Sequence, residues 1–169
     1  MNSIRLARVE DAAAIAHVHV QSWRTTYTGL VPEQYLASLN ETERASRWQE
    51  WLTLDISVFV AEIESKIVGF AGGGPLREPH AAYDAELYTI YLLEEAQRRG
   101  IGKDLLSAVA EALVRKDHTS MLVWVLEQNP AVRFYEKTGA LRLISKQIEI
   151  GGVSLTELAL GWPDLRHLI

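Results

Sequence analysis

Midway along the chain stands Gln97-Arg98-Arg99-Gly100-Ile101-Gly102-Lys103, where a strand-like run gives way to a helix-like one. Residues 86–92, Glu-Leu-Tyr-Thr-Ile-Tyr-Leu, have the β-branched and aromatic content of a strand. From 101 to 114, Ile101, Leu105, Val109 and Leu113 recur at helical spacing and form one apolar stripe. Two glycines at i, i+2 allow close backbone approach with no Cβ in the way. A helix beginning here offers unpaired N–H groups and the positive end of its dipole. Arg98, Arg99 and Lys103 add side-chain charge at the same spot. The segment is therefore a site for an anion, phosphate or pyrophosphate above all.

Two familiar phosphate loops fail on inspection. A Walker A loop needs glycine five residues before its Gly-Lys and Ser or Thr after it; those positions hold Gln97 and Asp104. A dinucleotide fingerprint needs a third glycine at 105, which is Leu. Downstream, the strand-like run 120–126 leads into Asn129-Pro130-Ala131-Val132-Arg133-Phe134-Tyr135-Glu136-Lys137-Thr138-Gly139-Ala140. Asn129 suits an N-cap, Pro130 the first helical position and Gly139 the C′ position, which predicts a helix of about two to three turns.

Together these segments resemble the GCN5-related N-acetyltransferase (GNAT) superfamily. The first matches its Q/R-x-x-G-x-G/A motif with Gln97, Gly100 and Gly102. The second resembles the family's Asn…Phe-Tyr-Glu-Lys-x-Gly segment, with Ala140 where an aromatic is usual. The resemblance covers most of the chain and is most specific over 86–140. It implies an α/β fold with a mixed central sheet and helices on both faces, in the order β-α-α-β-β-β-α-β-α-β-β. It also implies acetyl transfer from acetyl-CoA to an amine acceptor, by direct attack with both substrates bound. A non-catalytic acyl-CoA sensor of the same fold is the alternative, though a sensor needs neither an acid nor a base beside the thioester.

The resemblance assigns roles residue by residue. The loop Gln97, Arg98, Arg99, Gly100, Ile101, Gly102 and Lys103 would hold the pyrophosphate, mainly through backbone amides. The backbone of Ile90, Tyr91 and Leu92 would pair with the pantetheine arm, and the short helix with Asn129 and Arg133 would line the cofactor. Tyr135 is the candidate general acid and Glu86 the candidate base, with Asp84 a weaker substitute. Such a base gains from partial burial, which raises a carboxyl pKa toward neutrality. Trp23 and Tyr27, at i, i+4, are candidates for the acceptor wall; the same spacing serves core packing, which we favour for Trp23 and leave open for Tyr27.

Composition sets bounds. A 169-residue chain, 48% apolar and 23% charged, is expected to form one domain over 1–169 with a substantial core. A net charge of −5 argues against nucleic acid or an anionic membrane as partner. With no cysteine there are no disulfides, thiolate metal sites or cysteine nucleophiles. His17 and His19 point different ways on a helix, and His80, His118 and His167 are isolated, so no metal is expected and the histidines read as solvated or incidental. The uncharged run 12–23 is too short to span a bilayer and unlike a signal peptide. A cytoplasmic setting follows as the default, with room for a homodimer.

Elsewhere the pattern predicts a strand over 4–9 and a helix capped by Asp11 with Ile15, Val18 and Ser22 inward. Helical pieces follow near 32–38 and 41–54, then strands over 56–62 and 66–71. A loop begins at Gly72-Gly73-Gly74, and a hairpin turns at Gly151-Gly152.

Overall fold

A computed structural model describes residues 2–169. Seven strands form one mixed sheet: β1 (Asn2–Leu6), β2 (Ser57–Ile63), β3 (Lys66–Pro75), β4 (Ala85–Leu92), β5 (Met121–Leu126), β6 (Leu141–Ile150) and β7 (Val153–Trp162). Their spatial order is β1-β2-β3-β4-β5-β7-β6. Every neighbouring pair is antiparallel except β4 and β5. A parallel pair needs a crossover, and a helix supplies it.

The helices are α1 (Ala12–Thr26), α2 (Glu33–Ser38), α3 (Glu41–Trp51), α4 (Ile101–Val114), which makes that crossover, and α5 (Ala131–Lys137). The mixed α/β class and the order of elements along the chain match the expectation, α2 and α3 being the two helical pieces expected near 32–38 and 41–54. On β3, the Phe70 side chain meets the His19 ring of α1, while a Cβ at Gly73 would point at Val109 of α4. Residues three apart on a strand face opposite ways, so α1 and α4 cover opposite faces. The predicted stripe of α4 is in the core, with Ile101, Leu105, Val109 and Leu113 at most 1% exposed. Each such side chain contributes roughly 1.5–3 kcal/mol relative to exposure. Ile15, Val18 and Ser22 of α1 are buried as expected.

Several details differ from the sequence reading. β1 stops at Leu6, because Val9–Asp11 curl into a short 3-10 turn. There the Asp11 carboxylate accepts from the Arg8 N–H at 2.7 Å and from the Arg5 guanidinium, so it closes that turn and does not cap α1. β3 continues through Gly72-Gly73-Gly74, where a loop was expected. A Cβ at Gly73 would lie 2.8 Å from Val109 Cγ1 and 2.9 Å from the Glu86 carbonyl. Glycine here permits close packing against α4 and β4; it does not mark a turn. Among the described residues, no helix is long and apolar enough to cross a membrane.

Candidate active site

The site begins where two strands part. β4 and β5 pair only at Glu86 with Leu122 and Leu87 with Val123. Beyond that point β4 stays paired with β3 alone, and it carries one extra residue, Tyr88, opposite the Gly72–Gly73 step. A bulge bends its strand and ends regular pairing, which turns the far edge of β4 outward. That edge borders a cleft of about 830 Å³, also lined by α1, the start of α4, α5 and the β5–β7 side. Thr89 is among the lining residues, and its hydroxyl is buried without a partner.

One end of the cleft is built for an anion. Arg98 and Gly100 sit at φ +61° and +81°, a pair of left-handed residues that aims the chain into α4. That conformation is costly for arginine and free for glycine, so the turn is held by its surroundings. No backbone N–H from Arg98 to Gly102 has an acceptor among the described residues. Arg98, Lys103, Arg133 and Lys137 face the same space. The Gln97 amide donates to the Leu92 carbonyl at 3.3 Å and so ties the loop to the end of β4. Two members of the expected loop contribute differently. Arg99 is exposed outside the cleft, and the Ile101 side chain belongs to the core, leaving only its backbone for a ligand.

The short helix α5 begins one residue later than the sequence suggests, yet Asn129 still works as its cap. Its Oδ1 accepts from the Ala131 N–H at 2.9 Å, while its Nδ2 donates to the Tyr27 hydroxyl at 3.0 Å. Asn129 lines the cleft, with both ends of its amide engaged by the protein. Tyr135 projects from α5 with its ring edge-on to Trp162 at 5.6 Å. It is 4% exposed and lines the cleft, and its hydroxyl has no partner among the described residues. Burial pushes the phenol well above its ordinary pKa, and the neighbouring Tyr91 pushes the same way. At neutral pH it is a proton donor held in reserve.

The other end is aromatic and apolar. Trp23 and Tyr27 pack edge-to-face at 4.6 Å, and the Trp23 indole N–H donates to the Tyr91 hydroxyl at 3.1 Å. Both residues line the cleft, as do Ile90, Tyr91 and Leu92. Tyr27 also anchors a small cluster with Val31, Leu36 and Leu126, so wall and packing coincide in it.

Glu86 requires a correction. It was expected as a partly buried base beside the thioester; it is 1% exposed and does not line the cleft. Both its oxygens are engaged by Arg77, through Nε at 3.0 Å, Nη2 at 2.6 Å and the backbone N–H at 3.0 Å. A carboxylate held by three hydrogen bonds from one arginine anchors the loop 76–84 and sits off the lining of the cleft. Asp84, the substitute, accepts from the backbone N–H groups of Thr119 and Ser120. His19 is corrected too. It is buried in an aromatic cage, stacked on Tyr91, and its Nδ1 accepts from the Trp48 indole at 3.2 Å. No histidine lines the cleft, and among the described residues no three His, Asp or Glu side chains converge as metal ligands.

Sequence reasoning missed Arg77, Tyr88, Trp124, Lys137 and Glu157, all of which line the cleft. One signal was available for Glu157. It stands between Leu155 and Ala159 on one face of β7, a lone carboxylate in an apolar row.

Known proteins share this fold. The model of the acetyltransferase (GNAT) family matches residues 19–140, which contain the loop, α4 and α5. An uncharacterized N-acetyltransferase of Bacillus subtilis, YuaI, is 47% identical over 169 residues, covering 99% of this chain and 96% of that protein. The spermidine N(1)-acetyltransferase of Thermoplasma acidophilum is 30% identical over 148 residues, covering 80% of this chain and 86% of that one. The crystal structure of the PaiA N-acetyltransferase of Thermoplasma acidophilum in complex with coenzyme A superposes with a TM-score of 0.69 at 25% identity, covering 94% and 98% of the two chains. The chain belongs to the GNAT family of acetyltransferases. It is an N-acetyltransferase with acetyl-CoA as co-substrate.

Proposed function

We propose that acetyl-CoA lies along the free edge of β4, with its pyrophosphate at the start of α4. A primary amine then enters from the aromatic end. One observation carries this reading: a single cleft joins unpaired N–H groups and four cationic side chains at one end to a buried, protonated phenol farther in. Backbone groups of Ile90, Tyr91 and Leu92 suit the pantetheine arm, because an unpaired strand edge supplies alternating donors and acceptors. Arg98, Lys103, Arg133 and Lys137 suit the phosphates, with Lys137 an addition to the residues named from the sequence.

The chain's own groups then divide the work. Unpaired amides and the α4 dipole hold the anionic end, fixing the thioester against Tyr135. Tyr135 delivers its proton to the departing sulfur. Trp23, Tyr27 and Tyr91 form a wall that excludes water from the acceptor end. No cysteine or histidine lines the cleft, which favours direct attack by the amine over an acyl-enzyme. The reading takes residues 1–169 as one catalytic unit, and a cysteine-free chain suits a reducing cytoplasm.

The test is an amine screen with acetyl-CoA. Thiol release and the acetylated amine, followed by mass spectrometry, are expected in equal amounts. Tight acetyl-CoA binding without thiol release across the screen would instead mark a sensor.

A further inference from the structure

The Glu157 carboxylate lines the cleft from β7, opposite Leu126 of β5 and Lys146 of β6. It is one-fifth exposed and receives no hydrogen bond among the described residues. Its nearest cation is the Lys146 ammonium at 3.9 Å, too far for a hydrogen bond. That ammonium is shared: it sits 4.0 Å from the centre of the Trp124 ring and 3.8 Å from a Glu78 oxygen. The other nearby cation, Arg77, is committed to Glu86. Two cations, Lys146 and Arg77, thus face three carboxylates, Glu157, Glu86 and Glu78, which leaves one negative charge uncompensated. Leaving such a carboxylate in a cleft without donors is unfavourable. It fits a site whose missing cation arrives with the substrate.

We infer that Glu157 receives the acceptor's ammonium group and takes its proton, and that the acceptor is a primary amine with one positive charge and an apolar body. The inference rests on the acetyl-transfer reading above. The apolar body follows from the surroundings: Trp23, Tyr27, Trp124, Leu126 and Ile148 share this side of the cleft with Glu157. Among the described residues only one other carboxylate, Glu94, lines the cleft, and it stands near Gln97 in the chain. A polyamine would need a second carboxylate at the acceptor end; a substrate carboxylate would meet Glu157 as a like charge.

The step balances. The ammonium gives one proton to Glu157, and the freed nitrogen lone pair forms the C–N bond to the thioester carbonyl carbon. The C–S bond breaks and its electron pair leaves on sulfur, which takes the Tyr135 proton. The second nitrogen proton restores Tyr135, and Glu157 passes its own to solvent. Burial raises the Glu157 pKa, with Glu86 and Glu78 adding to it and Lys146 and Arg77 opposing. The carboxyl therefore accepts a proton more readily than an ordinary glutamate.

The experiment compares the full-length parent with Glu157→Gln, Glu157→Asp and Glu78→Gln. Phenethylamine, spermidine and phenylalanine serve as probes, with initial rates from pH 6 to 9. In the parent, kcat/KM is expected to be at least ~10-fold higher for phenethylamine than for the other two. Glu157→Gln should lower it by roughly 10²-fold and abolish its fall at acid pH, while acetyl-CoA affinity stays within about twofold. Glu157→Asp should recover part of the rate, and Glu78→Gln, which leaves Lys146 to Glu157 alone, should lose far less than Glu157→Gln. An unchanged rate and profile in Glu157→Gln, an equal loss in Glu78→Gln, or a preference for spermidine overturns the inference while leaving acetyl transfer intact. Absence of thiol release from the parent with every amine overturns both.

Discussion

Tyr135 keeps its proton because its ring is buried between Phe134 and Trp162 and its hydroxyl meets no charge. Tyr135→Phe retains that packing and deletes only the donor. Turnover is expected to fall by roughly 10²-fold while acetyl-CoA affinity, measured by calorimetry, stays near that of the parent. Equal turnover would reduce Tyr135 to a packing residue. Burial acts on His19 in the opposite sense. Its imidazole is pushed down to about 3, first by desolvation and then by Arg44. The unfolded chain therefore binds a proton near the ordinary ~6.5 that the folded chain refuses, so the fold loses stability as pH falls from that value toward 3. Full stability from this group is present only above ~6.5. Between pH 7 and 5 the loss is expected to be roughly 2 kcal/mol. Urea unfolding at the two pH values should show a clearly smaller loss in His19→Gln, whose side-chain oxygen still accepts from Trp48. Identical losses in both proteins would mean that another group governs acid stability.

At the scale of elements, the proposed donor binding turns on the start of α4. A side chain at 102 would meet Leu92 Cδ1 at 3.4 Å and Phe134 Cζ at 3.5 Å, ordinary contacts that leave the fold intact. Gly102→Asp thus adds a negative group to an anion site with little structural cost. Acetyl-CoA affinity is expected to drop at least ~10-fold by calorimetry, about 1.4 kcal/mol, and equal affinity would remove the assignment. This loop and the short helix α5 were legible in the sequence because their signals are local: glycine spacing, an apolar stripe, an Asn-Pro start and a glycine stop. The divergence of β4 from β5 was not legible, since it depends on pairing between residues 86–92 and 121–126. The pairing of Glu86 with Arg77 was hidden for a related reason. Arg77 lies in a loop with no motif, and only the folded chain brings its guanidinium onto that carboxylate. The run Gly72-Gly73-Gly74 misled because glycine signals a turn and close packing alike; the presence of α4 above it decides between them.

The whole molecule joins two halves of its sheet through a single short parallel contact. β1 to β4 carry the donor edge, while β5, β7 and β6 carry Trp124, Glu157 and Lys146. Class, the order of elements and the glycine loop before α4 follow from patterns within single segments. The proposed acceptor end is assembled from α1, the loop 76–84 and the β6–β7 hairpin, which are far apart in sequence, so its charges could be placed only in three dimensions. If acetyl-CoA and the amine meet in this one cleft, as proposed, both must be present before any bond changes. Initial rates measured while acetyl-CoA and an amine acceptor are varied together test this most directly. Double-reciprocal lines are expected to intersect, as a ternary complex requires. Parallel lines, the mark of an acetylated enzyme that has already released CoA, would contradict it.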